Sequence, residues 1–149
     1  MKICLVSSPG GHLYKTYRLK PWWEKHNRFW VTGPITQQLG ILNQEKVYYG
    51  HFPETRNLVN FIKNLILAWK ILNQEKPDIL FSAGAGIAPP FFLIAKLLGI
   101  KTIFMETFVF VPETTLSGQM LYLLADYFLV QNKKLLKRYP KAKYWGHCL

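Results

Sequence analysis

Residues 2–13, KICLVSSPGGHL, decide the fold of this chain. The apolar, partly β-branched run at 3–6 is typical of a buried strand, and it breaks at SSPGG before a helical pattern resumes. This succession predicts a strand, a tight glycine turn and a helix start. Gly10 and Gly11 carry no Cβ, so a ligand can approach their backbone closely. The unpaired N–H groups of the following helix favour an anion there, most often a phosphate.

His12 stands at the start of that predicted helix, where an imidazole can hold or take up a proton near neutral pH. Glycine turns after a first strand are also common in α/β domains for structural reasons alone. The stretch by itself leaves both interpretations open: a phosphate-binding turn with a candidate base, or a loop with unusual backbone angles.

The 149 residues suffice for one domain with a real core, and we expect a single domain over residues 1–149. Half of the residues are apolar, which excludes a disordered chain. The 19 Lys and Arg against 8 Asp and Glu give a net charge of +11, so the expected partner is anionic. Without a run of five basic residues or a nucleic-acid-binding module, membrane and phosphate are favoured over nucleic acid.

No secretory signal is visible, and no apolar stretch reaches the roughly 18 to 20 residues of a membrane-spanning helix. The two cysteines, Cys4 and Cys148, have neither the spacing of a metal site nor that of a disulfide framework. The sequence therefore predicts a cytoplasmic protein that has no cofactor or structural metal and can at most lie on a membrane.

Strand and helix patterns alternate along the chain with short links. Further strands are predicted at 28–32, 46–49, 78–83, 101–105 and 126–131, with a possible short one at 144–149, and helices at 12–26, 57–74, 87–98, 116–124 and 132–138. Such alternation predicts an α/β fold, a doubly wound parallel sheet with helices on both faces. Ligands of such folds collect at the carboxyl ends of the strands, where the loops 7–12, 84–86 and 106–107 would meet.

The helix predicted at 57–74 has an apolar arc broader than one sheet face usually covers. One interpretation is that the arc is core. The other is a surface that dips into lipid headgroups, with Ile62, Leu65 and Trp69 facing the membrane and Lys63 and Lys70 beside them.

Neither common nucleotide-binding pattern fits the first turn. A nicotinamide-binding domain would have G-x-G-x-x-G there and an acid after the second strand, which instead ends in Thr32-Gly33. A P-loop fails because no G-K-S/T follows the glycines. A phosphate-binding turn with a histidine, and a glutamate across the cleft, suits sugar transfer better, because a base must deprotonate an acceptor hydroxyl while a diphosphate leaves.

Several stretches, in this order, resemble bacterial polysaccharide-biosynthesis proteins of the PssD/CpsF type. They are SSPGGHL at 7–13, KPWWEKH at 20–26, FWVT at 29–32, RNLVNFIKNLILAWKIL at 56–72, SAGAG at 82–86 and LSGQMLYLLADYFLVQ at 116–131. That family is similar to the membrane-associated, acceptor-binding subunit of the two-chain UDP-GlcNAc transferase of N-glycan assembly, the "fourteen" member of the Alg thirteen/fourteen pair. More distantly, the chain resembles the N-terminal half of MurG-like GT-B glycosyltransferases.

The resemblance implies a Rossmann-like acceptor domain and a subunit of an inverting glycosyltransferase in capsular or exopolysaccharide assembly. It implies an undecaprenyl-diphosphate-linked acceptor, bound at the inner face of the cell membrane. A separate small subunit would bind the UDP-sugar donor, and residues 144–149 are our candidates for docking it.

By position, Gly10, Gly11 and His12 match the family's glycine-glycine-histidine loop, which implies contact with the acceptor's diphosphate and makes His12 a candidate base. Gly84 and Gly86 match a second glycine turn. Their role is either ligand contact or close packing of helix on strand.

Glu106 matches the glutamate that follows a later strand and is the second candidate catalytic residue, with Thr107 as a further acceptor contact. MurG-like enzymes have His-Glu-Gln-Asn here, whereas this chain has Met105 before the glutamate and Thr107-Phe108 after it. The sequence thus supports two functions: a catalytic subunit that uses His12 and Glu106, or a non-catalytic membrane anchor that recruits a catalytic partner. A stand-alone nucleotide-binding domain is the less favoured third.

Overall fold

The computed structural model describes residues 1–34, 40–106 and 116–146. Seven strands form one parallel sheet in the order β3-β2-β1-β4-β5-β6-β7. The strands are β1 Lys2–Val6, β2 Asn27–Thr32, β3 Val47–Tyr49, β4 Ile79–Ser82, β5 Lys101–Glu106, β6 Tyr127–Val130 and β7 Lys143–Tyr144. The helices are α1 Gly11–Arg18, α2 Lys20–Trp23, α3 Leu58–Glu75, α4 Ala88–Leu97 and α5 Leu116–Leu124, with a 3-10 helix at Lys133–Lys137. The predicted doubly wound parallel fold is confirmed.

Two predicted elements differ in detail. The helix expected at 12–26 is divided at Leu19, whose ψ of 17° leaves the helical range, and α2 restarts with Pro21 in its first turn. Proline fits there because its missing N–H would have no helical partner in a first turn. The last strand covers only Lys143–Tyr144, and residues 147–149 of the predicted strand lie outside the described residues.

The longest helix, α3, is defined by signals at both ends. Asn57 caps its start, since its Oδ1 accepts from Asn60 N–H at 2.9 Å. At the other end Lys76 takes a left-handed conformation, φ 45°, and Pro77 follows. No helix within residues 1–34, 40–106 and 116–146 is both long and apolar enough to cross a membrane.

The core divides into two layers, one on each face of the sheet. The larger lies under α3, α4, α5 and the 3-10 helix, and the smaller lies under α1 and α2. The handedness of parallel connections explains this division. From β1 the chain winds through β2 to β3, and from β4 it winds the other way to β7, so the connecting helices fall on opposite faces. In the described chain, no helix covers the α1 face of β5, β6 and β7.

Candidate functional site

Two glycine turns meet at the carboxyl edge of the two central strands. Ser8, after β1, donates its N–H to Gly84 O at 3.0 Å, and its Oγ accepts from Ala85 N–H at 3.1 Å. Ser8 is almost fully buried, so these bonds are shielded from water. The turn after β1 and the turn after β4 are therefore one bonded unit.

His12, in the first turn of α1, adds a third bond between the two turns. Its Nδ1 lies 2.8 Å from Ala83 O. Because a carbonyl oxygen only accepts, Nδ1 carries the proton, and the neutral ring has its lone pair on Nε2. Burial has the largest effect on the pKa of His12 and lowers it, and the positive charge of Lys15 lowers it further. The hydrogen bond to the Ala83 carbonyl and the negative charge of Glu54 raise it. The net result is a pKa below the ordinary value. The lowered pKa favours the neutral imidazole, whose Nε2 can accept a proton.

Gly10 and Gly11 leave open space in front of α1. Gly10 has a φ of 86°, a left-handed backbone that favours glycine, and a Cβ on either residue would have nothing within 4 Å. No side chain caps the start of α1. The start of α1 therefore has room for a ligand beside these two glycines.

Gly84 and Gly86, by contrast, are closely packed. A Cβ on Gly84 would lie 2.8 Å from His12 Nδ1, and one on Gly86 would lie 2.6 Å from Glu54 Cγ. Of the two roles considered for these glycines, the geometry supports close packing. The His12 ring occupies the space beside Gly84, and Glu54 occupies the space beside Gly86.

Two further glycines let the neighbouring loops interlock. A Cβ on Gly33, after β2, would lie 2.6 Å from Pro9 Cγ and 3.0 Å from the ring of Phe52. A Cβ on Gly50, after β3, would lie 2.6 Å from Ile87 Cδ1. The loops after β1, β2, β3 and β4 therefore form one packed edge.

The sequence analysis did not identify Glu54, which lies in the loop after β3, where the sequence has no periodic pattern. A carboxylate at the carboxyl end of a parallel strand was the available signal. Only the tertiary contact with Gly86 brings it to the site.

Glu106 ends β5 and is 3% exposed. The pairing of Ser82 with Phe104 places Glu106 at the level where β4 gives way to its glycine turn. Alternation along β5 puts Glu106 on the face of Phe104, which packs under α4, whereas His12 comes from the helix on the other face. The two candidate catalytic residues share one edge and approach it from opposite faces. Thr107 lies outside the described residues.

The broad apolar arc of α3 is partly buried and partly exposed. Ala68, Ile71 and Leu72 are core, and Leu65 is half-buried against them. Five other apolar residues are exposed: Leu58, Val59, Ile62, Ile66 and Trp69. Lys63 and Lys70 are exposed as well. Four of the five residues expected to face a membrane are therefore at the surface, and Leu65 is only partly so.

An open groove of about 530 Å³ lies on the uncovered face of β5, β6 and β7. Its apolar lining includes Leu19, Trp22, Phe81, Ile103, Leu129 and Trp145. Trp145 follows β7 directly and is 70% exposed. The groove is open because the described helices after β4, which are α4, α5 and the 3-10 helix, pack on the other face.

Two solved structures of low sequence identity share the fold. MurG of Acinetobacter baumannii superposes with a TM-score of 0.73 at 17% identity, covering 87% of this chain and 40% of MurG. UDP-GlcNAc 2-epimerase of Neisseria meningitidis, solved with UDP-GlcNAc, gives a TM-score of 0.77 at 15% identity, covering 99% of this chain and 47% of the epimerase. The fold is thus that of the N-terminal half of these GT-B-like proteins.

Sequence comparison identifies the family. The human UDP-N-acetylglucosamine transferase subunit ALG14 is 33% identical over 91 residues, which are 57% of this chain and 42% of the human protein. The match therefore spans less than half of that relative. A family profile described as "Oligosaccharide biosynthesis protein Alg14 like" matches residues 51–148, which include the loop that carries Glu54 and all elements from α3 through β7. Because the profile matches more than half of the residues of this chain, the chain belongs to the Alg14-like family of oligosaccharide biosynthesis proteins.

Proposed function

We propose that this chain is the acceptor-binding subunit of a two-chain inverting glycosyltransferase that uses UDP-GlcNAc or a related UDP-sugar. Family membership supports the division into two chains, and the fold supports the acceptor role, because it corresponds to one half of a one-chain enzyme such as MurG. The observation that carries the proposal is the His12 ring, held by Nδ1 at 2.8 Å from Ala83 O beside an open glycine turn.

The proposed chemistry follows from these contacts. Gly10 and Gly11 receive the diphosphate of a lipid-linked acceptor against the start of α1. His12 Nε2 takes the proton of the acceptor hydroxyl, whose oxygen attacks the anomeric carbon of the donor. The bond from that carbon to the UDP oxygen breaks, and UDP leaves. Glu106 is the second candidate for contact with the acceptor.

We place the reaction at the inner face of the cell membrane, with the exposed part of α3 against the lipid. An apolar surface with Trp69 at its edge and Lys63 and Lys70 beside it suits an anionic bilayer, as does the net charge of +11. A bacterial setting in capsular or exopolysaccharide assembly, with an undecaprenyl-diphosphate acceptor, rests on the resemblance of the motifs.

The donor-binding subunit is proposed to dock in the groove on the uncovered sheet face. The groove is apolar, it lies beside β7, and one-chain relatives of this fold continue for more than half of their length beyond the matched region. Residues 144–149, proposed from the sequence as docking candidates, include Trp145 at its rim.

A transfer assay tests the proposal. Membranes that contain a lipid-diphosphate sugar and labelled UDP-GlcNAc are mixed with this chain, with the proposed donor-binding partner, or with both. We expect transfer only with both chains, and its loss in His12→Ala but not in the control His26→Ala. If the partner alone transfers equally well, or if His12→Ala retains the full rate, this chain is a scaffold and not a catalytic subunit.

A further inference from the structure

Glu54 and His12 pack on the same short turn, Gly84–Gly86. A Cβ on Gly86 would lie 2.6 Å from Glu54 Cγ and 3.3 Å from Glu54 O, so both the side chain and the main chain of Glu54 require a glycine there. Two residues earlier in the turn, Gly84 accommodates the His12 ring in the same way. The His12 ring and the Glu54 side chain therefore pack against two glycines of the same three-residue turn.

The position of Glu54 is fixed by the rest of its loop. Asn64 of α3 binds the main chain of His51 at both its N–H and its carbonyl oxygen, at 2.8 and 3.0 Å. Asn60 Nδ2 donates to Pro53 O at 2.9 Å. Because bonds from α3 flank Glu54 on its N-terminal side, its approach to Gly86 is built into the fold.

The charges that act on His12 come from two elements. Lys15, on the same helix, lowers the pKa of His12, and Glu54, on the loop after β3, raises it. The turn between them offers only main-chain groups, the Ala83 carbonyl among them. Glu54 is half-buried and forms no ion pair or hydrogen bond with another described residue, so its charge is not neutralised by a neighbouring cation in that part of the chain.

We propose that Glu54 is a positioning residue for the transfer reaction: its carboxylate stabilises the imidazolium that forms when His12 accepts the proton of the acceptor hydroxyl. The inference rests on the proposed function of His12. In the step, the hydroxyl O–H bond breaks and its oxygen bonds to the anomeric carbon, while the electron pair of the bond to UDP leaves with UDP. The proton remains on Nε2, Nδ1 keeps its own proton on Ala83 O, and the positive ring lies beside the carboxylate.

A first test needs no activity. The ring protons of His12 are followed by NMR against pH in the full chain, in Glu54→Gln and in the control Glu24→Gln, which removes an exposed carboxylate at the end of α2. His12→Ala identifies the resonance. We expect His12 to titrate at lower pH in Glu54→Gln and unchanged in Glu24→Gln. Identical titration of the native chain and Glu54→Gln overturns the inference, whether or not the chain takes part in transfer.

A second test uses the active two-chain enzyme, with kcat/KM measured against pH. In Glu54→Gln we expect the acid limb to move to lower pH and the plateau to fall about tenfold, because the imidazolium loses its counter-charge. Glu54→Asp, which keeps the charge, should recover most of the rate.

Gly86→Ala provides an independent variant, because its Cβ displaces Glu54 without removing the charge. It should move the acid limb in the same direction. A lowered plateau with an unmoved limb in both variants would assign Glu54 a merely structural role. If the native pair transfers no sugar, the proposed function fails, and the NMR titration still decides whether Glu54 acts on His12.

Discussion

Asn64 of α3 binds both polar groups of the His51 main chain. Its Oδ1 accepts from His51 N–H at 2.8 Å, and its Nδ2 donates to His51 O at 3.0 Å. The side chain is 1% exposed, in a helix whose other buried positions are mostly apolar. Asparagine is not favoured within helices, so this two-point bond to the loop after β3 accounts for its presence.

Replacing Asn64 by Ala should lower the free energy of unfolding by about 1 to 3 kcal/mol, because two main-chain groups lose their partner. Urea unfolding measures the change. The control is Asn73→Ala on the same helix, where the exposed side chain donates only to Trp69 O; a change within about 0.5 kcal/mol is expected. Equal losses of unfolding free energy in the two variants would show that the hydrogen bonds to His51 do not stabilise the fold more than the exposed bond to Trp69 does.

Gly84→Ala should disturb the site more than a left-handed backbone alone explains. Gly84 and Gly99 both have positive φ, 106° and 70°, but a Cβ on Gly99 meets nothing within 4 Å. Gly99→Ala should therefore cost about 1 to 2 kcal/mol, from backbone strain. Gly84→Ala should cost more and should also break the bond from His12 to Ala83, seen as loss of the protected Nδ1 proton in NMR spectra. Retention of that proton would contradict the packing role of Gly84.

The strands could be predicted because parallel strands buried on both faces are continuous apolar runs, as at residues 3–6. The ends of α3 could be predicted from Asn57 at its start and Lys76-Pro77 at its end, which act locally. His12 could be identified because it stands next to its glycine turn in the sequence.

The role of Glu54 could not be predicted, because its contact with Gly86 joins residues far apart in the chain and passes through a loop with no periodic pattern. The sequence also could not show which glycines at this edge of the sheet face open space and which are packed against side chains. Gly10 and Gly84 look alike in the sequence, and only the surrounding side chains make one open and the other filled.

Glu75 should make the stability of the protein depend on pH in the acid range. This buried carboxylate accepts from Lys2 Nζ at 2.7 Å, from Lys46 Nζ at 2.6 Å and from the Tyr48 hydroxyl. Burial alone would raise the pKa of Glu75, but these hydrogen bonds outweigh it and lower the pKa from 4.5 to about 2.

A carboxyl whose pKa is lower in the folded state binds fewer protons there than in the unfolded chain. Its contribution is therefore complete above about pH 4.5 and is lost as the pH falls toward 2. Glu75→Gln should have a lower unfolding free energy at neutral pH. Its unfolding free energy should also fall less steeply than that of the native chain as the pH drops from 4.5 toward 2. Urea unfolding between pH 7 and 2.5 checks it, and Glu24→Gln, an exposed control, should keep the native slope.

Trp69 and Trp145 should separate membrane binding from partner binding. Both are exposed, 53% and 70%, and they lie on opposite sides of the sheet, Trp69 on α3 and Trp145 at the rim of the groove. Trp69→Ser should reduce sedimentation with anionic vesicles about tenfold, since an interfacial indole is lost. Trp145→Ser should weaken binding of the donor-binding subunit at least tenfold, as expected when an exposed aromatic side chain becomes buried in an interface. Each variant should retain the interaction that the other loses. Loss of vesicle binding in Trp145→Ser would place the membrane on the groove side, and the partner would then need another surface.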